Sequence, residues 1–359
     1  MIYTQTPKQL GYRFPAEWEP QSATWFSWPH KEASWPDRFD GIPLVFTEIV
    51  RVLSSFQHVN INVINQEMYT GVMTRLIKAG VAEERVTLHV IPTDDAWCRD
   101  HGPSFVVNPD AGHPLAVVDW GYNAWGNKYP PYDQDDVVPT RIAEYRRLPL
   151  FYPCIVMEGG SIDVNGEGCL LTSTACLLNP NRNPHLSQEQ IEWYLREYYH
   201  VDKILWVNEG IAGDDTDGHI DDTARFVNPT TILAAVENDK NDENYLPLRN
   251  NLAQLRAMRD LQGRPFQIVE LPMPRPLVID DLRVPASYEN FLIANGVVLV
   301  PTFQDPNDQT ALSILRDVFP DRQIIGIDCS ELIWGLGTLH CISQQEPLVV
   351  QKATSTQNV

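Results

Sequence analysis

Residues able to do acid-base or covalent chemistry recur at comparable places along the chain. Asp100, Glu158, His219 and Asp221 stand seven to nine positions ahead of asparagines followed by proline or glycine, namely Asn108, Asn165 and Asn228. A fourth such asparagine is Asn295, and the four are separated by 57, 63 and 67 residues. Cys341, in GLGTLHCISQQEP, lies 122 residues beyond His219, close to two of these spacings. If equivalent places face one hollow, three acids and a histidine make an anionic pocket that is costly to bury without a cation. The thiol of Cys341 is then a candidate nucleophile. Cys98, Cys154, Cys169, Cys176 and Cys329 sit in or beside apolar runs and read as small core residues.

The elements that must hold these groups are legible as hairpins. PSFVVNPDAGHPLAVV, GSIDVNGEGCLLTS, TARFVNPTTILAAV and YENFLIANGVVLVP each join two β-branched, apolar runs through an Asn-centred turn. Between them, SQEQIEWYLREYY carries a helical stripe of Ile191, Tyr194, Leu195 and Tyr198 behind a capping Ser187, and TALSILRDVFP reads the same way. The short apolar strands KILWVN and RQIIGID follow. The repeated unit is hairpin, helix, strand, with a period near 60, and the length of 359 leaves room for about five units plus a tail. No internal boundary is visible, so residues 1–359 are expected to form one domain with a C-terminal tail over roughly 346–359.

Composition narrows the partners. Lys plus Arg is 27 against 47 for Asp plus Glu, a formal charge of -20, which repels phosphate backbones and anionic membranes. Neither nucleic acid nor membrane is an expected partner. The N-terminus has no basic segment followed by an apolar run, and no apolar stretch approaches the ~18 residues of a membrane helix. A cytoplasmic, thiol-reduced protein is the expectation.

WCRDHGPSF, WGYNAWGNKYPPYD, EGGSIDVNGEG, TDGHIDD, VPASYENFLIANG and LHCISQQEP resemble, in order, the successive motifs of agmatine deiminases in the guanidine-modifying (pentein) superfamily, which is related to bacterial-type peptidyl-arginine deiminases. The resemblance runs from Pro15-Ala16-Glu17 to Cys341. It departs in GLGTLHC, where Leu336 and Thr338 replace residues of the commoner GGGNIHC. The resemblance implies an α/β fold, a five-bladed propeller of ββαβ-type repeats around a central active-site cavity. It implies hydrolysis of agmatine to N-carbamoylputrescine and ammonia, a step toward putrescine. Cys341 would attack the guanidinium carbon, Asp100 and Asp221 would grip its N–H groups, His219 would serve as acid and then base, and Glu158 would orient it.

The far end of the substrate decides among guanidines. In an extended segment Asp215, Asp217, His219 and Asp221 would share one face and favour an amine, with Trp28, Trp97 and Trp125 lining the aliphatic chain. Arg99 is the nearest candidate for a carboxylate and keeps free arginine open as a substrate; peptidyl-arginine is the other alternative. His219, Asp221 and His340 also match a two-histidine, one-carboxylate iron pattern, which leaves Asp100, Glu158 and Cys341 without a role. No cofactor and no metal is expected. The expected partner is a small cationic guanidine, and a homodimer is compatible with the chain.

Overall fold

A computed structural model describes residues 1–350 as a mixed α/β fold. Four three-stranded sheets follow one plan: an antiparallel hairpin whose second strand pairs in parallel with a third strand reached through a helix-bearing connection. Ser104–Val107 and Leu115–Val118 are joined by Leu150–Phe151. Ile162–Val164 and Cys169–Ser173 are joined by Lys203–Val207. Ala224–Asn228 and Thr231–Val236 are joined by Gln267–Pro272, and Leu292–Ala294 and Val297–Thr302 by Gln323–Asp328. The connecting helices include Val138–Arg146, Gln188–Tyr199, Tyr245–Ala257 and Asp308–Val318. The second strand of each hairpin is buried almost throughout. That explains why these strands read as continuous apolar runs and not as alternating ones.

Local chemistry sets the boundaries. Ser187 caps Gln188–Tyr199 in a reciprocal box with Gln190, which satisfies donors the first turn leaves open. Three of the four turn asparagines also look outward. Asn165 accepts from the Glu167 and Cys169 N–H groups and donates to the Pro229 carbonyl in the next hairpin at 2.9 Å. Asn295 exchanges two bonds with the Gln21 backbone, and Asn108 donates to the Leu10 carbonyl.

The remaining large sheet is built from both ends of the chain. Gln21–Ser27, His58–Val63 and Val86–Val90 run parallel, and Ser343–Pro347 pairs antiparallel with Gln21–Ser27. A strand from the end of the described chain thus stands where a hairpin's first strand stands elsewhere. This corrects the expected tail over 346–359: Glu346 and Pro347 belong to the sheet, and 351–359 lie outside the described residues. The polar text QQEP conceals a buried strand because its acid is paired. Glu346 accepts from the Trp25 indole at 2.8 Å and from both terminal nitrogens of Arg146 at 2.7 and 2.8 Å. Among the described residues no helix is long and apolar enough to cross a membrane.

Candidate active site

Each residue singled out by chemistry sits just ahead of the first strand of a sheet. Asp100 lies in the turn Cys98–His101 before Ser104, and Glu158 precedes the turn Gly159–Ser161 before Ile162. His219 and Asp221 flank the start of Ile220–Asp222 before Ala224, and Cys341 lies two residues before Ser343. The five are buried and meet. The meeting point is marked by Gly160, where an added Cβ would stand 2.5 Å from His219 Nδ1, 2.9 Å from Asp100 Oδ1 and 3.1 Å from Asp221 Oδ2. Only a residue without a side chain leaves that junction open.

The charges at the junction are unequal. His219 faces Asp100 and Glu158 at 3.8 Å each, with neither ring nitrogen in a closer hydrogen bond. Burial opposes its charge, but Asp100, Cys176 and Glu158 together raise it well above the ordinary imidazole value. Glu158 is fully buried, which raises it, but Arg182, whose Nε donates to it at 2.6 Å, and His219 together hold it below the usual carboxylate range. Burial, partly offset by His219, pushes Asp100 up to about 6; it accepts from the Trp125 indole at 3.0 Å and the Gly160 N–H at 2.9 Å. Asp221 is buried yet lowered, because His340 Nδ1 bonds one oxygen at 2.7 Å. Its other oxygen has no partner in the structure. Burial, then Asp221, Asp222 and Asp100, raise the Cys341 thiol well above its ordinary value.

Cys341 and Asp100 open onto a cavity of about 240 Å³ that reaches the surface past Trp97, Trp125, Tyr129 and Asp215. Its lining includes Asp95 and contains no lysine or arginine. Gly337 lets the wall approach the sulfur, since a Cβ there would be 2.6 Å from Trp97 and 3.1 Å from Cys341 Sγ. Leu336, beside it, lines the cavity with a left-handed φ of 70°, a conformation glycine adopts without cost. The departure from the glycine-rich form of this loop therefore falls on a strained, cavity-facing position.

Several expectations are corrected. Trp28 is buried against Phe46, rings 5.9 Å apart, and does not line the cavity. Asp217 is taken up by Lys128, Asn181 and Arg182 at 2.7–2.9 Å. The segment before His219 is a series of turns, with Asp217 and Gly218 at φ 68° and 102°, so the alternation assumed for Asp215, Asp217, His219 and Asp221 does not exist. Asp215 alone of the tail acids reaches the cavity, beside Tyr129 and 3.2 Å from Lys128. Arg99 is buried and spends its guanidinium on Gln345 and the His340 carbonyl, away from the cavity. Cys154 is exposed, at φ 60°.

Other contacts were not legible in the sequence. Arg182 neutralises Glu158. His340 bridges Asp221 and Glu17, and Glu17 is in turn paired with Arg225. Asn290 donates to Cys341 Sγ at 3.0 Å. Its signal was present: it lies two residues before Leu292, the register that Cys341 holds before Ser343. Among the described residues one cluster has metal-ligand composition, Glu158, Cys176 and His219, with donor atoms within 4.8 Å of one another. Arg182 already supplies the positive charge there. The iron-type set of His219, Asp221 and His340 is not assembled, because both ring nitrogens of His340 are taken up by the carboxylates of Asp221 and Glu17.

Comparison with known proteins adds an independent line. The family model of Porphyromonas-type peptidyl-arginine deiminase matches residues 13–347. The agmatine deiminase of Stutzerimonas stutzeri (strain A1501) is 39% identical, over 96% of this chain and 98% of its own. The solved agmatine deiminase of Enterococcus faecalis superposes with a TM-score of 0.90 at 36% identity, covering 97% of this chain and 99% of that one. A Cys-to-Ser variant of the C. jejuni agmatine deiminase with substrate bound gives 0.86 at 34% identity, covering 94% and 97%.

Proposed function

The chain belongs to the Porphyromonas-type peptidyl-arginine deiminase family, and from that premise we propose that it hydrolyses agmatine to N-carbamoylputrescine and ammonia. It is a hydrolase of C–N bonds, and its product leads toward putrescine. The observation that carries the substrate is the cavity wall: a buried sulfur and three aspartates, Asp95, Asp100 and Asp215, with no cationic side chain in the lining itself, Lys31 and Lys128 standing behind Asp95 and Asp215 at 3.4 and 3.2 Å. Such a wall suits a ligand positive at both ends and gives an α-carboxylate no partner.

In this reading Asp100 and Asp221 accept N–H bonds from the planar guanidinium and set its carbon beside Cys341. The acids that hold the thiol protonated at rest are offset when the substrate's charge arrives, so the thiolate forms in the complex and its proton leaves to solvent through the open cavity. Sulfur attacks the guanidinium carbon, the C–N bond breaks, and the protonated His219 passes its proton to the departing ammonia. Water then attacks the thiouronium carbon, giving a proton to the now neutral His219. The C–S bond breaks, the ureido carbonyl forms and the thiol is restored. Glu158, fixed by Arg182, holds the imidazolium in place.

Trp97, Trp125 and Tyr129 flank the aliphatic segment, and Asp215 takes the terminal ammonium at the mouth. The five large sheets are read as five blades around this pocket, with residues 1–359 as one domain. Six unpaired cysteines suit a reducing cytoplasm, and a homodimer is compatible with the reading.

The test is to supply purified protein with agmatine, arginine or a blocked arginyl peptide and to follow ammonia and the ureido product. Agmatine should be turned over far faster than the other two; equal turnover of agmatine and arginine would overturn the amine-selective wall. Cys341→Ser should lower turnover by at least ~10⁴-fold while agmatine still binds by calorimetry.

A further inference from the structure

Asn290 is buried and forms a node between the fourth hairpin and the loop that carries the nucleophile. Its Oδ1 accepts from Thr338 Oγ1 at 2.9 Å and from the backbone N–H groups of His340 and Cys341 at 3.0 and 3.3 Å. Its Nδ2 donates to Asp222 Oδ1 at 2.9 Å and to Cys341 Sγ at 3.0 Å. These partners fix which way the amide points. Turned over, it would set its NH₂ against two N–H groups and its oxygen against a carboxylate. The amine therefore faces sulfur by necessity.

Apart from a backbone N–H of Thr338, the groups near that sulfur disfavour a negative charge. Asp221 Oδ2 lies 4.0 Å away, and Asp222 and Asp100 add to the same field. Among the described residues the Asn290 amide supplies the side-chain N–H donated to the sulfur. A donor that a thiolate accepts more strongly than a thiol stabilises the anion selectively.

We propose that Asn290 is a further catalytic residue, which aims the Cys341 sulfur at the guanidinium carbon and stabilises its thiolate by an N–H···S bond. Thr338 acts through it as a positioning residue, holding the amide in its working orientation. The proposal deepens the deiminase reading and rests on it for the identity of the electrophile. The assignment of the N–H to sulfur does not depend on the substrate.

The experiment measures alkylation of Cys341 by iodoacetamide as a function of pH, resolved by mass spectrometry of its peptide, beside agmatine kinetics. Asn290→Asp keeps the shape and one acceptor oxygen but replaces the donor. Its alkylation midpoint should move up by about one pH unit or more, and kcat should fall at least ~100-fold with KM changed little. Thr338→Val leaves Asn290 in place and should shift both quantities the same way by a smaller amount, which keeps the test available if the first variant fails to fold. An unchanged midpoint in either folded variant overturns the proposal. A shifted midpoint in a protein that ignores agmatine would keep the proposal and discard the substrate.

Discussion

At the scale of single residues, the site depends on one position where nothing projects. Gly160 has an ordinary backbone, so its requirement is for room alone. An alanine there would push its methyl group into the space between His219, Asp100 and Asp221. Gly160→Ala should cost about 1–3 kcal/mol of stability and lower kcat/KM at least ~100-fold by displacing the grip. Urea unfolding beside steady-state kinetics separates the two effects. In the proposed mechanism Asp100 carries the pH dependence. Raised from 3.8 to about 6 by burial, it is neutral in acid and must ionise to accept guanidinium N–H bonds. Asp221 and Glu158 are lowered and remain charged. kcat/KM for agmatine should therefore rise with pH through about 6 and level above it, and Asp100→Asn should remove that limb with the activity.

At the scale of elements, the turn asparagines Asn108, Asn165 and Asn295 tie their hairpins to neighbouring segments, whereas Asn228 is bonded by Thr230 within its own turn. Asn165 makes two bonds within its own turn and one to the next hairpin. Asn165→Ala leaves the buried Cys169 N–H unpaired and removes the bond to the Pro229 carbonyl, and should cost about 1–3 kcal/mol, read as a lowered urea midpoint with an unchanged slope. These asparagines also made the fold legible. Their spacing, with apolar runs on each side, exposed four hairpins and the register of Asp100, Glu158, His219 and Asp221. The helix behind Ser187 was legible for the same reason, since capping and periodicity are local. The segment 209–218 was not, because its path is set by bonds from Asp214 to the Thr216, Gly218 and His219 N–H groups. A side chain bonding its own downstream backbone leaves no periodic trace. Trp28 and Arg99 were misplaced for another reason. Residue type gave their capacity, whereas long-range packing against Phe46 and bonding to Gln345 decided their use.

At the scale of the whole molecule, the first and last described strands belong to one sheet. Glu346 anchors the closure through Trp25 and Arg146, two partners far apart in sequence. Glu346→Ala strands a buried indole N–H and breaks an ion pair whose arginine is solvent-exposed. It should destabilise the protein by about 1–2 kcal/mol and show as a lowered Tm. Because Cys341 is two residues from this strand, loss of closure should also slow turnover before unfolding is complete; ammonia release recorded along a urea series would show activity falling ahead of far-UV ellipticity. The same arrangement sets the order of events during synthesis. A nascent chain emerges with its acids and histidine long before its thiol, and the partner strand for Gln21–Ser27 leaves the ribosome later still. Products of premature termination thus lack both the proposed nucleophile and the edge that seals the opening sheet, so an abortive translation product should be inactive and open to proteolysis.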